Sequence, residues 1–178
     1  MDKPDTTLKI RTFGRFSIYV DDKLFTTDWP SETVQQFFCS LLSPLDLYIT
    51  WDRLCRSTLE TPVSPTARRR LEELYIMPLN TFLIKEFGFN PLIASDKGIG
   101  INHSRIDLDA FNFNSTVLDG LKLLSLGSQQ AAFDKFNMAK ELYSGSYLPG
   151  MPGKIIANTR KELDSIYRIA NKGVIDEV

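Results

Sequence analysis

The sequence predicts an α+β fold in which short strands come first, three helices and a β-hairpin follow, and the remainder of the chain is helical. Three observations support this fold class. Apolar and polar residues alternate over residues 8–20, and apolar residues recur at helical spacing in three stretches between residues 31 and 87. A glycine-containing turn then separates two short apolar runs within residues 92–101. From Asp107 onward only helical spacing is found.

The length and composition are typical of a globular protein. The chain has 178 residues, of which 43% are hydrophobic and 24% charged, and this suits one large domain or two small ones. We expect a disordered tail over residues 1–7, a first domain over 8–106 and a helical domain over 107–178. No apolar run approaches the about 20 residues of a membrane span, and the N-terminus lacks the apolar core of a signal peptide. We therefore expect a cytoplasmic protein with no membrane partner.

The first strands follow from the alternation of apolar side chains. Leu8 and Ile10 alternate with basic residues, and the same period-two pattern resumes after Gly14. Gly14 is predicted to mark a bulge or bend, and a third short strand is predicted at Leu24-Phe25.

Two amphipathic helices come next. Ser31 or Asp28 can cap the first, which ends at Ser43-Pro44, and Thr50 can cap the second. Each helix carries apolar residues on one face, as expected for helices that pack against a core.

The third helix is predicted to begin after Ser64, with Pro65 in its first turn, and to end at Gly88. Pro78 lies in its interior, where it removes a backbone donor, so we expect a kinked helix rather than a loop. Its predicted buried stripe is Ala67, Leu71, Leu74, Tyr75, Leu79 and Phe82.

A hairpin and a helical segment complete the chain. Residues 92–94 and 99–101 flank the turn Ser95-Asp96-Lys97-Gly98, which has the composition of a hairpin turn. Helices are predicted over 111–124, 129–143 and 155–170, and their short connections suggest a helical repeat.

The residue inventory offers no catalytic, cofactor or metal site. None of the common nucleotide, protease or hydrolase motifs is present. Cys39 and Cys55 lack metal-ligand spacing and are interpreted as buried free thiols. Asp107 and Asp109 flank a strand-to-helix junction and are interpreted as helix caps rather than paired carboxylates. We therefore expect that the protein is not an enzyme.

The order of the motifs resembles that of a known family. The stretches LKIRTFGRFSIYV, W-P-S before an apolar helix, LIASDKGIG and IDLDAF resemble the winged-helix domain of response-regulator-type transcription factors. More specifically, they resemble regulators of the Streptomyces antibiotic regulatory protein type. In that family a bacterial transcriptional activator domain of tetratricopeptide-like helices follows.

The C-terminal part resembles the same family. AKELYSGSYLPG is similar to that domain's loop of form LYxGxfLxG, and NTRKELDSIYRIA is similar to its helix of form RxxLxxxY, on which Arg160, Leu163 and Tyr167 fall. The resemblance implies that the third helix enters the major groove and that the hairpin wing touches the minor groove or the backbone. It also implies that the helical segment contacts RNA polymerase or another protein, or a second protomer in a homodimer.

The candidate DNA-binding residues lie on the third helix and around the wing. Consecutive arginines could contact phosphates or guanine, but Glu72 and Glu73 lie within pairing distance of them on the helix, as on an ordinary solvated face. Where the family carries L-R-[KR] and G-Y-[RK], this chain has Leu83-Ile84-Lys85-Glu86 and Gly98-Ile99-Gly100. The candidates are Arg68, Arg69, Arg70, Glu73, Met77, Asn80, Thr81, Lys85, Lys97, His103 and Arg105.

Two functions follow from the sequence. The first is a transcriptional regulator that binds duplex DNA through the helix over residues 66–87 and the hairpin over 92–103. The second is a protein-interaction module that keeps the scaffold but has lost DNA binding. A continuous positive surface on the helix and wing would favour DNA, whereas interruption by Glu72, Glu73, Glu86 and Asp96 would favour the interaction module.

Overall fold

The structure is a computed structural model that describes residues 6–175, with side chains described for residues 6–173. Two small sheets and a set of helices form one continuous apolar core. The first sheet has the order β3-β2-β1-β7 and the second the order β4-β6-β5. The strands are β1 (Leu8–Arg11), β2 (Ser17–Val20), β3 (Lys23–Leu24), β4 (Ile49–Thr50), β5 (Leu92–Ala94), β6 (Gly98–Ile101) and β7 (Ile106–Leu108).

The helices follow the predicted order. A π-helical segment, Glu72–Ile76, joins α3 to α4, and these three pieces together are called the third helix, residues 65–87. The helices are α1 (Glu32–Leu41), α2 (Trp51–Leu59), α3 (Pro65–Leu71), α4 (Met77–Phe87), α5 (Asp109–Ser125), α6 (Gln129–Leu142) and α7 (Lys154–Ile175). None of the described helices is long and apolar enough to cross a membrane.

The first sheet confirms the predicted alternation. Leu8 and Ile10 are fully buried, and Gly14 turns the chain with a φ of 77°. β3 lies one residue earlier than predicted. β7 pairs in parallel with β1, with Leu8 opposite Ile106, so the change to helical structure comes at Asp109 rather than at Asp107. The predicted division into domains remains a prediction, and β7 runs across it.

The predicted disordered tail falls largely on residues 1–5, which lie outside the described residues. The part that is described contacts the fold. The Arg105 Nε donates a hydrogen bond of 2.9 Å to the carbonyl oxygen of Thr6.

Side-chain caps fix the beginnings of the first two helices. The Ser31 hydroxyl accepts a hydrogen bond from the Val34 amide at 3.2 Å, and the Thr50 hydroxyl accepts one from the Arg53 amide at 3.3 Å. Each cap satisfies a backbone donor that has no partner within the helix. Of the two caps proposed for α1, the structure uses Ser31.

The third helix passes through Pro78 without a loop because a π turn precedes it. The Met77 amide donates to the Glu72 carbonyl, five residues back, and α4 then begins at Met77 with Pro78 in its first turn. Pro78 has no amide hydrogen, and the first turn of a helix does not need one. Gly88 ends the helix in the left-handed conformation, as predicted.

The π turn also changes which side chains face the core. Leu74 was predicted to be buried but is 55% exposed, whereas Ile76, placed off the buried stripe, is 6% exposed. An α-helix has 3.6 residues per turn, and the extra residue of the π turn changes the angular positions of the side chains within it, while Leu79 and Phe82 beyond it are buried as predicted. The prediction for Leu74 is therefore wrong, and the helix presents an additional apolar side chain to solvent.

The wing packs against the chain before α2 through two glycines. A Cβ at Gly98 would lie 2.0 Å from the Ile49 carbonyl oxygen, and one at Gly100 would lie 2.3 Å from that of Leu47. All four residues of β6 are buried, and β6 pairs with β4 as well as β5. This close backbone approach admits only glycine at these two positions.

The helical segment packs around one phenylalanine. A Cβ at Gly120 of α5 would lie 2.6 Å from the Phe136 ring, and one at Gly173 of α7 would lie 2.8 Å from the same ring. Phe136 of α6 therefore fits between two helices that carry no side chain at the contact. Arg160, a residue of the form RxxLxxxY, also has a structural role. Its guanidinium donates hydrogen bonds to the carbonyl oxygens of Tyr147 and Met151, in the loop before α7.

A buried carboxylate joins the first sheet to the helical segment. Asp109 accepts hydrogen bonds from the Thr12 amide at 2.8 Å, the Thr12 hydroxyl at 2.6 Å and the Phe13 amide at 3.1 Å. It also accepts one from the adjacent Ala110 amide, but the residue at the N-cap position of α5, Leu108, makes no side-chain capping bond. The interpretation of Asp109 as a simple helix cap is therefore corrected: most of its bonds hold residues 12 and 13.

We expect Asp109→Asn to lower the free energy of unfolding by about 3 kcal/mol, because the amide group would turn a donor toward backbone donors that need an acceptor. Urea denaturation followed by circular dichroism measures the change. The control is Asp107→Asn, whose half-buried carboxylate pairs with Arg11 and accepts a hydrogen bond from the Asn112 side chain, and which should contribute about 1 kcal/mol. Equal stability of the two variants would contradict the role of Asp109.

Candidate nucleic-acid interface

The outer face of the third helix is held in place by its cap and its buried face. The Ser64 hydroxyl accepts a hydrogen bond from the Ala67 amide at 3.0 Å, and Leu71, Leu79 and Leu83 are fully buried on the inner face. The outward side chains are therefore displayed on a rigid element. They are Arg69, Arg70, Glu72, Glu73, Leu74, Met77, Thr81, Ile84 and Lys85.

The three arginines have different environments. The Arg68 guanidinium lies 3.5 Å from the centre of the Trp51 ring, a cation–π contact that engages it within the fold. Arg69 pairs with Glu73 at 2.8 Å, but both side chains are more than half exposed, so the pair contributes little and can exchange for another anion. Arg70 is exposed, and no described carboxylate lies within ion-pair distance of it.

Trp51 connects the start of α2, the third helix and the wing. Its indole donates to the Ser95 carbonyl at 3.0 Å, and its amide donates to the Lys97 carbonyl at 3.3 Å. With Arg68 stacked on the same ring, the first turns of the third helix and the wing turn lie side by side. The exposed cations Arg70 and Lys97 thus project from neighbouring elements. Nothing in the sequence indicated this linking role of Trp51.

The middle and end of the helix face are mainly apolar. Met77 is 55% exposed and Ile84 is 52% exposed, and with Leu74 they offer no hydrogen-bond donor to a base edge. Thr81 is exposed, whereas Asn80 is half-buried and accepts a hydrogen bond from Asn90 at 3.0 Å. Lys85 pairs with Glu86 at 3.4 Å. A shallow cavity of about 500 Å³ lies along this part of the helix, bounded on one side by Pro30.

Two candidates near the wing are engaged with aromatic rings. The His103 ring packs at a tilt against Phe111 with ring centres 4.2 Å apart, and partial burial there lowers the pKa of the imidazole, which favours its neutral form. The Arg105 guanidinium lies 3.9 Å from the Phe89 ring centre. Lys97 is exposed at the wing turn, while Asp96 is exposed beside it.

The geometry brings some predicted residues together and disperses others. Arg69, Arg70, Glu73, Met77, Thr81 and Lys85 share the outer face of the helix, and Lys97 joins its N-terminal end. Arg68, Asn80, His103 and Arg105 instead hold neighbouring segments of the fold. The positive surface is not continuous because Glu72, Glu73 and Asp96 are exposed within it.

The described residues offer neither a metal site nor an accessible thiol. They contain no group of three or more His, Cys, Asp or Glu that could hold a metal ion. Cys39 and Cys55 are buried free thiols, as predicted, and burial raises the pKa of each thiol. Thiols in this state are poor nucleophiles.

Comparison with known proteins identifies a similar fold. No family model matches the sequence, and no curated protein matches it. The solved structure of Mycobacterium tuberculosis EmbR in complex with a low-affinity phosphopeptide matches with a TM-score of 0.65 at 14% sequence identity. The match covers 95% of this chain and 44% of the EmbR chain, so this chain spans less than half the length of that protein. The likeness shows that the fold is an EmbR-like winged helix followed by a helical segment.

The close contact of Gly100 with the Leu47 carbonyl leaves no room for a longer side chain at this position of the wing. We expect Gly100→Lys to destabilise the protein by about 3 kcal/mol or more, because its Cβ would collide with the Leu47 carbonyl. Ala94→Lys adds the same charge at an exposed position of β5 and should change stability by less than about 0.5 kcal/mol. Thermal unfolding of both variants tests this, and a stable Gly100→Lys protein would refute the tight contact.

Proposed function

We propose that the protein is a transcriptional regulator that binds duplex DNA through its winged helix. The observation that carries the proposal is that Arg69 and Arg70 lie on the first turns of the third helix, and that Arg68 and Trp51 hold these turns beside the wing turn, which carries Lys97. The charged groups of Arg69, Arg70 and Lys97 face solvent, and the rigid Trp51 contact holds the two elements together. Such a cluster can neutralise neighbouring phosphates of one duplex.

The fold supports the same class of function. The fold is similar to that of EmbR, and the sequence resembles winged-helix transcription factors. The helical segment would then provide protein contacts, either with RNA polymerase or another protein or with a second copy of the chain in a homodimer. These partners are part of the proposal and rest on the family resemblance alone.

The chemistry of the helix face favours phosphate contact over base recognition. Base reading requires donors and acceptors along the exposed face, as arginine, asparagine and glutamine provide. Here Leu74, Met77 and Ile84 occupy much of that face, and Asn80 is engaged with Asn90. Glu72 and Glu73 also reduce the local positive potential. We therefore expect weak, salt-sensitive binding with little sequence discrimination.

A second candidate function is a protein-interaction module on the same scaffold. Two observations favour it. The exposed Glu72, Glu73 and Asp96 interrupt the positive surface. Leu74, Met77 and Ile84 are exposed, and Met77 lines a cavity of about 500 Å³, as suits an interface with apolar side chains at its centre. The two functions differ in their dependence on phosphate. A DNA contact must weaken steeply as salt rises, whereas a mainly apolar contact does not.

A salt titration with duplex DNA tests the leading proposal. Fluorescence anisotropy of a labelled duplex should show affinity that falls linearly with the logarithm of salt concentration. Arg70→Gln with Lys97→Gln should reduce the slope by about 2, since each phosphate contact contributes about 0.9. Arg168→Gln with Lys172→Gln, two changes at exposed positions of α7, is the charge-matched control and should leave the slope nearly unchanged.

Two outcomes would contradict the proposal. The absence of binding at low salt would exclude DNA contact and leave the interaction module as the better account. Binding whose salt dependence is the same in the Arg70→Gln, Lys97→Gln protein as in the wild type would place the DNA elsewhere on the surface.

A further inference from the structure

A cavity of about 550 Å³ lies where the first sheet meets the helical segment, away from the third helix. Arg11, Arg15 and Tyr19 of the sheet side line one wall, and Asn112 and Glu141 of the helices line the other. Cavities of this size at the junction of two structural units, with an apolar base and a few polar groups, are the usual places for small ligands.

Some of the charged side chains that line this cavity have ion-pair or hydrogen-bond partners in the fold, and others do not. Arg11 pairs with Asp107 at 3.2 Å, and Asp109 is saturated by the backbone of residues 12 and 13. Arg15 only donates a long hydrogen bond of 3.4 Å to the Tyr19 hydroxyl. Among the described side chains, no carboxylate lies within 4.0 Å of the Arg15 guanidinium, and no basic group lies within 4.0 Å of the Glu141 carboxylate.

One exposed cation and one exposed anion, neither with an ion-pair partner among the described residues, therefore line the same cavity, together with Leu142 and the small exposed part of Phe13. A ligand with a single charge would pair with only one of them. A zwitterion with an apolar body satisfies both and also covers the apolar surface, and charge-assisted hydrogen bonds of this kind are strong and directional.

We propose that this cavity binds a small zwitterion, an α-amino acid with a large apolar side chain. The ligand carboxylate binds Arg15, the ligand ammonium group binds Glu141, and the ligand side chain packs on Phe13 and Leu142. The site is independent of DNA binding, because none of its residues belongs to the third helix or the wing. Occupancy joins the sheet to α6 next to the Asp109 contact, so it stiffens the junction between the winged helix and the helical segment.

Calorimetric titration of the full chain with leucine, phenylalanine, methionine and tryptophan tests the proposal. At least one should bind with a Kd below about 1 mM, and its N-acetyl and carboxamide derivatives, which lack the ammonium group and the carboxylate respectively, should each bind about tenfold or more weakly. Glu141→Gln should remove the discrimination against the N-acetyl form alone. Arg15→Gln should remove the discrimination against the carboxamide alone.

Matched controls separate this pattern from a loss of folding. Glu162→Gln and Arg168→Gln change the same charges at exposed positions of α7 that do not line the cavity, and they should leave all affinities unchanged. Circular dichroism of each variant verifies the fold. The proposal is overturned if none of the four amino acids binds at about 10 mM, or if binding occurs but Arg15→Gln and Glu141→Gln leave the discrimination intact.

Discussion

The Asp109 carboxylate is the contact on which the arrangement of the whole chain depends. It is 5% exposed and binds the amides of Thr12 and Phe13, just after β1 ends. Thr12 also connects the sheet to the loop before α7, because its carbonyl accepts a hydrogen bond from the Leu148 amide at 2.7 Å. Phe13 packs edge-on against Phe113 with ring centres 5.4 Å apart. A buried carboxylate without these donors would be strongly destabilising, so the sheet and the helices must assemble together.

The contact between the first sheet and the helical segment determines which surfaces a partner can bind. The first sheet, α1 and α2 support the third helix from its inner face, and the helical segment is fixed to that sheet rather than tethered by a flexible linker. A ligand or partner that binds the helical segment can therefore influence the winged helix through a short path of packed residues. The cavity that Arg15 and Glu141 line lies beside this junction.

Local signals in the sequence predicted most of the elements. Ser31, Thr50 and Ser64 mark three helix starts, Gly88 marks a helix end, and the hairpin turn over residues 95–98 is where composition placed it. These features depend on residues a few positions apart, so a single sequence contains the information. The short strands β4 and β7 were harder to predict because two or three residues show no periodicity, and their partners lie about 50 and about 100 positions away in the chain.

The candidate site was predicted less well than the fold. The sequence identified the third helix and the wing, but it could not show that Arg68 is engaged by Trp51 or that His103 is packed against Phe111. Both contacts join segments that are distant in sequence. The π turn had a comparable effect, because a regular α-helix from residue 65 to residue 87 would have buried Leu74 and exposed Ile76. The solvent-facing chemistry of the helix depends on this single departure from α-helical geometry.

We propose that this winged helix binds the DNA backbone without reading the bases. Repeated selection from a pool of random duplexes at low salt, followed by sequencing, tests this most directly. We expect a substantial fraction of the pool to be retained in every round and no sequence motif to be enriched. Enrichment of a defined motif would show that the third helix reads bases, and failure to retain any DNA would show that the winged helix has another kind of partner.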